Sequence, residues 1–257
     1  MKKFSSMAVI AAFFLIWEAA ARLNLIDTQF IPAFSVVMRE VFSLARSGAL
    51  FVHISASVIR LFLGIILAVA AALPLGFMLA GWTPRTADFL NPLFTNLSMA
   101  NPFTLIPVFI LVLGMGEVSK VGIIFWVVLW PALFSTIAGV SQIDPEMIKA
   151  ARAMGASGTK IFLSVILPGS VKRIFTGVKS SVTFGFTVLV GAEMIGAKAG
   201  LGFIIFTSNQ NYNIPRLYVG ILTIAVVGVA VSLFIERLQK LIVVWEESAG
   251  PAARETR

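Results

Sequence analysis

The chain has no cysteine, so neither disulfides nor thiolate metal centres enter the account. It has one histidine, His53, and no second histidine, cysteine or nearby acid to complete a metal site with it. His53 therefore reads as an interfacial side chain. Charge is scarce too: Asp, Glu, Lys and Arg make up 12% of the 257 residues, about half the share a soluble domain carries. The common catalytic patterns are missing. The nearest approach to a phosphate-binding loop, Gly155 to Lys160, lacks the required spacing and follows no strand. There is no HExxH pair and no Gly-x-Ser-x-Gly elbow. Asp144 and Glu146 stand together, but at the head of a helix they read as cap and dipole partners rather than as an acid–base pair.

What the chain does have is apolar length. Hydrophobic residues make up 58% of it and its mean hydropathy is +0.96. An all-α integral membrane protein is expected. The formal charge of +8 does not point to nucleic acid, because the basic residues are scattered over loops between apolar spans and form no stripe with interleaved aromatics.

Six spans are expected. The first runs from Met7 to Ile26, with Glu18 and Arg22 placed to neutralise each other at i, i+4. A basic start and the Ala19-Ala20-Ala21 run would also suit a cleavable leader, but Glu18 lies where its apolar region should end. Residues 35–45 have the periodicity of an amphipathic helix on the membrane face. The second span is Val58–Gly81, followed by a polar turn from Thr83 to Asn91. The third, Phe89–Gly114, is interrupted by Pro92, Pro102 and Pro107 and so is expected to face protein rather than lipid. Val121–Val140 is the fourth. The fifth, about Ile174–Ile195, is rich in small and hydroxyl residues that suit close packing or a wet path. Among these Ser180, Ser181, Thr183, Gly185 and Thr187 are candidate pathway-lining residues. Glu193, at the far end of the span, joins them as a possible gate, with Lys198 as its expected partner. A polar loop from Thr207 to Arg216 leads to the last span, Leu217–Ile235, and residues 237–257 form a polar tail.

Between the fourth and fifth spans lies the longest run with regularly placed charge, Asp144 to Pro168. Asp144 can cap a helix that starts at Pro145. Met147, Ala150, Ala151 and Met154 then share one face. Gly155 stops that helix, and Ser157 or Thr159 starts a second that ends at Pro168. With this loop placed inside, lysine and arginine number 13 on the inner side against 7 on the outer. That agrees with the positive-inside rule and puts both termini in the cytoplasm.

The order Ala150-Ala151, Gly155 and Ile166-Leu167-Pro168 resembles the cytoplasmic "EAA" loop of ABC-importer permeases. The wording from Ala150 to Ser157 is most similar to the nitrate/sulfonate/taurine branch. The resemblance covers about Ile54 to Glu236. It implies the smaller type I (MetI-like) permease fold over residues 54–236, preceded by an N-terminal helix and outer segment over 1–53. It also implies a homodimer in the inner membrane, served by two ATPase subunits and an extracytoplasmic binding protein, with no enzymatic activity, cofactor or metal of its own. ATP would be bound by the partner. The coupling helices that dock on the ATPase would use Glu146, Lys149, Ala150, Ala151, Arg152, Gly155, Ala156 and Pro168. In this chain Lys149 stands where the family has an acid, and Glu146 lies one turn earlier. The solutes that the resemblance implies are small organic or inorganic anions such as sulfonates, taurine and nitrate, along with some vitamin precursors and aromatic acids. An ion-coupled secondary carrier is the competing expectation, and it would place paired ionisable groups near mid-membrane.

Overall fold

The computed structural model describes residues 2–81 and 84–242, and among them every regular element is helical. Helix α1 (Lys2–Arg22) has 21 residues, about the length that crosses a hydrocarbon core. Glu18 pairs with Arg22 at 2.6 Å as its spacing predicts. It also accepts hydrogen bonds from the Ser35 N–H and hydroxyl at 2.9 and 2.8 Å. Helix α2 (Phe34–Arg46) has no side-chain cap from its own Ala33, so Glu18 satisfies its first turn from outside. Val37 and Leu44 of α2 are buried while Phe42 faces out, the amphipathic arrangement expected of 35–45.

Helix α3 (Ala49–Gly81) begins nine residues before the expected Val58 and runs unbroken past residue 53 and through Pro74. The expected polar turn after it is already helical: α4 (Pro84–Ser98) starts before Asn91, and Thr83 lies outside the described residues. The expected third span is two helices, α4 and α5 (Pro102–Leu113), bent by 91°. The break follows from local chemistry. Pro102 has no N–H to continue a helix, whereas at the first position it loses nothing. Asn101 caps the new helix by accepting from the Phe103 N–H at 3.0 Å. Pro92 and Pro107 do not interrupt their helices. On this chain Ile106 of α5 is buried and Leu111 is 86% exposed.

Helix α6 (Glu117–Ser141) is the centre of the bundle, with α3 and α9 (Leu167–Met194) packed along it. Glycines bring the axes close. A Cβ on Gly76 of α3 would stand 2.6 Å from Cβ of Thr136, and one on Gly177 of α9 would stand 2.3 Å from Cβ of Ser135. Gly76→Leu is therefore expected to push α3 off α6, at a cost of about 1–3 kcal/mol. The check is a lower unfolding midpoint in detergent, with Leu75→Ala on the exposed side of α3 as the control.

Between α6 and α9 lie α7 (Pro145–Ala153) and α8 (Gly158–Ile161), the latter continuing through a π turn at Phe162–Ile166 into α9. The second helix of the loop thus does not end at Pro168, as its sequence predicts. The wider π turn relieves the clash between a proline ring and the carbonyl four residues back, and Pro168 sits in the first turn of α9. The result is one run from Gly158 to Met194, 37 residues long.

Two helices complete the chain. The expected outer loop at 207–216 is largely helical, divided between α10 (Leu201–Gln210) and α11 (Ile214–Ile242). Residues 237–242 of the expected tail belong to α11, and 243–257 lie outside the described residues. By length and apolarity four helices can cross a membrane, or five if the bent α4–α5 pair is one span, among the described residues. Helix α1 has the length for a sixth.

Candidate functional site

The loop from Asp144 to Ala156 folds as its residues dictate. Asp144 accepts from the Glu146 N–H at 2.9 Å, and Pro145 takes the first helical position. At the other end Gly155 adopts φ +77°, the left-handed conformation that favours glycine. Its N–H donates to the Arg152 carbonyl at 2.9 Å, and the Ala156 N–H donates to the Ala151 carbonyl at 3.1 Å. This pair is a Schellman cap. Helix α7 is thus fixed at both ends without help from tertiary packing.

Of the four residues on the predicted face, Ala151 is buried and anchors the helix, whereas Ala150 is exposed and Met147 and Met154 are 59% and 81% exposed. Exposed methionines are adaptable contact residues. Glu146 and Lys149 form an exposed ion pair at 2.8 Å, and Arg152 is exposed beside them. Glu146, Lys149, Ala150, Arg152, Gly155 and the half-buried Ala156 therefore belong to one short helix and its cap, while Pro168 stands apart in the helix that follows. Arg173 donates to the Gln142 side chain at 2.9 Å and ties the start of α9 to the end of α6.

The six pathway candidates on α9 divide by face. Ser180, Thr183 and Thr187 are exposed, in line with Thr176, and each hydroxyl donates to the carbonyl four residues back at 3.1–3.3 Å. Their oxygens remain acceptors on an outward stripe. Ser181 and Gly185 face the core instead: Ser181 donates to the Val178 carbonyl at 2.9 Å, and Gly185 packs against Val128. Glu193 is fully buried.

The partner of Glu193 is Arg60 rather than Lys198. Arg60 Nη1 donates to Glu193 at 2.7 Å and to the Ala199 carbonyl at 2.7 Å. Its Nε and Nη2 hold both oxygens of Glu117, the latter at 2.7 Å, a two-point grip. Glu193 also accepts from the Ser57 hydroxyl at 2.7 Å and from the Gly202 N–H at 3.0 Å. The turn over 195–200 is folded onto this cluster, with the Gly200 N–H donating to Nδ1 of His53 at 3.1 Å. A Cβ on Gly200, which has φ +136°, would lie 2.4 Å from the Glu193 carboxyl carbon. The cluster joins α3, α6, α9 and α10 at the end of the bundle opposite the loop at Asp144–Pro168. Among the described residues no group of three His, Cys, Asp or Glu side chains is placed to hold a metal ion.

A family model described as "Binding-protein-dependent transport system inner membrane component" matches residues 72–244. The chain belongs to this family. The match runs from the second half of α3 through α11 and takes in the whole loop from Asp144 to Pro168. The permease is 29% identical over 245 residues to the taurine transport system permease protein of Escherichia coli (strain K12), covering 93% of this chain and 89% of that one. It is also 29% identical over 248 residues to a putative aliphatic sulfonates transport permease protein of Bacillus subtilis (strain 168), covering 96% and 88%. Among solved structures it resembles the MetNI methionine ABC transporter in inward-facing conformation. The TM-score is 0.63 at 15% identity, over 73% of this chain and 93% of that one. At that identity the likeness shows the fold, which is the type I fold expected from the resemblance.

The permease's ion cluster was not read from the sequence. Arg60 lies among apolar residues near the start of the second expected span, and Glu193 near the end of the fifth. Each would be costly in an apolar setting without a partner. Two such residues of opposite charge are a signal that they meet, and that signal was available.

Proposed function

We propose that the permease is one half of a homodimeric path for a small solute bearing an oxyanion group, with sulfonates (the zwitterion taurine among them) and nitrate the favoured classes. Two separate ATPase subunits drive it, and an extracytoplasmic binding protein delivers the solute. The chain itself is the non-catalytic subunit and needs no cofactor; its partners bind ATP. The docking loop and both termini lie in the cytoplasm, as the 13-to-7 division of basic residues favours.

One observation carries this reading: α7 is a short helix capped at both ends, presenting an exposed turn, and the chain leads from it into a 37-residue helical run. Closure of an ATPase dimer would draw two such helices together. The run from Gly158 to Met194 would carry the motion to the opposite end, where Glu193 grips α3. The carrier reading needs paired charges at mid-membrane. Here Glu193 stands near the close of α9 and Arg60 grips Glu117, the first residue of α6, so the buried pair lies toward the end of the bundle away from the loop at Asp144–Pro168. The matched relatives named for taurine and aliphatic sulfonates favour a solute with a sulfonate group.

The test is to purify the permease with its cognate ATPase and binding protein and to reconstitute all three in liposomes. ATP hydrolysis stimulated by loaded binding protein, with uptake of labelled taurine, an alkanesulfonate or nitrate, is the expected result. If no ATPase co-purifies under any condition, the loop at Asp144–Pro168 is not the docking element.

A further inference from the structure

His53 is the single histidine of the chain, and nothing in the transport reading uses it. It stands half-buried in the second turn of α3, and Ser57 and Arg60 follow it at i+4 and i+7, on the same face of the helix. All three side chains reach one short segment. Nδ1 of His53 accepts from the Gly200 N–H at 3.1 Å, the Ser57 hydroxyl accepts from the Leu201 N–H at 2.9 Å, and Arg60 donates to the Ala199 carbonyl at 2.7 Å. The imidazole also stacks on Phe203 of α10, with ring centroids 5.7 Å apart. Lys120 of α6 adds a longer bond to the Gly196 carbonyl, at 3.4 Å. The 195–200 turn is thus held from beneath through its backbone.

Among the side chains that hold the turn, His53 is the one whose ordinary titration falls between about pH 5 and 8. A backbone N–H can only donate, so the ring nitrogen that faces Gly200 carries no proton. The neutral ring has its proton on Nε2, and a second one can go only to Nδ1. That proton turns the acceptor into a donor and sets two N–H groups against each other. No carboxylate is free to receive the new charge. Glu193 of α9 already takes Arg60, Ser57 and the Gly202 N–H, and Glu117 of α6 takes Arg60. The other charged neighbours are cations: Arg216 of α11 acts on the ring electrostatically, and Lys120 is tied to the Gly116 and Gly196 carbonyls. Helix α2 also packs on α3 and carries Arg39, Glu40 and Arg46, but none of these acts on the ring as Arg216 does.

We propose that His53 is a proton-operated catch on this turn: neutral, it seats the turn on α3, and protonated at Nδ1 it releases Gly200, so that acid on the outer side slows transport. The inference rests on the permease reading, in which this end of the bundle faces outside, and adds a control to it. The effect starts locally. Gly200 is buried, so its N–H either keeps the His53 acceptor or must turn towards water, which lifts the end of the turn. The residues on either side, Ala199 and Leu201, are bound to Arg60 and Ser57. A lift at Gly200 therefore pulls on both partners of Glu193, the contacts through which α9 grips α3. Gly196 and Gly200, at φ +70° and +136°, give the turn the backbone freedom to move without unwinding α9 or α10.

The test compares wild type, His53→Asn and His53→Ala, each reconstituted in liposomes with the cognate ATPase and loaded binding protein. Asparagine keeps an acceptor, Oδ1, at the level of Nδ1 and does not titrate, whereas alanine removes the acceptor. The outer-face pH is varied from about 7.5 to about 5 while the ATP-hydrolysing side stays neutral. Rates are expressed relative to His53→Asn, so titrations elsewhere, in Glu193 or in the partner proteins, cancel. Stimulated hydrolysis by wild type should fall at least threefold on this relative scale, along a one-proton curve. His53→Ala should already lie at least threefold below His53→Asn at neutral pH. A second readout follows the turn itself. The chain has no cysteine, so Ala197→Cys, half-buried in the seated turn, supplies its only thiol. Its rate of reaction with a membrane-impermeant maleimide, relative to the same thiol beside His53→Asn, should rise at least threefold on acidification. The proposal is overturned if either relative rate is flat with pH, or if His53→Ala matches His53→Asn at neutral pH. Should His53→Ala fail to fold, the two relative rates decide alone. Absence of the ATPase from the wild-type preparation is a different outcome: it counts against docking by the loop at Asp144–Pro168, and the labelling ratio still decides the catch.

Discussion

Gly155→Pro is expected to reduce ATP-driven uptake by at least a hundredfold while the protein still inserts and folds. The conflict is local and complete. Gly155 sits at φ +77°, and proline holds φ near −65°. The substitution also removes the N–H that donates to the Arg152 carbonyl, one of the two bonds that close α7. The end of the helix must rearrange, and with it the angle at which Met147, Lys149 and Met154 project. Nothing within 4 Å surrounds the Cβ position, so the damage stays in the loop rather than spreading into the bundle. Gly155→Asn, which tolerates the left-handed region better than other residues, should retain much of the activity. Ala151→Glu tests the same element from beneath, because it forces a carboxylate into the seam where α7 is anchored. The measurements are ATPase co-purification and stimulated hydrolysis in liposomes, with yield and elution profile reporting insertion. Normal coupling in both Gly155→Pro and Ala151→Glu would show that α7 is not the docking element.

The contrast between the two ends of the bundle explains what could be read without coordinates. Helix α7 is built from contacts within about a dozen residues. Its cap, first-turn proline, buried alanine and left-handed glycine are each a property of a residue type at a position, and the loop folds as those types predict. The family wording of Ala150 to Ser157 pointed the same way. The spans were legible as apolar runs, but their ends were not. Apolarity does not mark where a helix starts, so α3 reaches back to Ala49 and α11 reaches on to Ile242. Proline misled twice in opposite directions. Pro102 starts a new helix because Asn101 is there to cap it, while Pro168 is carried through because a π turn precedes it. The division of the α9 hydroxyls between an exposed stripe and a packed face depends on where α6 lies, which no local pattern contains. The Arg60 cluster brings together residues up to 147 positions apart, and only its cost when unpaired was visible beforehand.

That cost sets the second large effect. Arg60→Met is expected to destabilise the permease by about 3–5 kcal/mol, the usual result of stripping a buried charge of its partner. The three members of the cluster should respond very unequally. Glu193 is fully buried, and without Arg60 it keeps only the Ser57 hydroxyl and the Gly202 N–H. Glu117 has a side chain 65% exposed, so water compensates it when Arg60 goes. Glu193→Gln leaves Arg60 neutralised by its two-point contact with Glu117, and should cost less than Arg60→Met. Glu117→Gln should cost least, about 1 kcal/mol or below, as exposed pairs do. Unfolding midpoints in detergent give the order, and a double-mutant cycle should find strong coupling for Arg60 with Glu193 and weak coupling for Arg60 with Glu117. Arg60→Met combined with Glu193→Leu removes both buried charges and should recover much of the loss, since apolar replacement of a whole buried pair is often neutral or better. Recovered stability need not restore transport. The pair also holds the 195–200 turn on α3, and a cluster that must loosen when α9 moves is a fixed point that two leucine-like residues cannot reproduce. Equal cost for Arg60→Met and Glu117→Gln would mean that the energy lies in the exposed pair, and that Glu193 is held by packing instead.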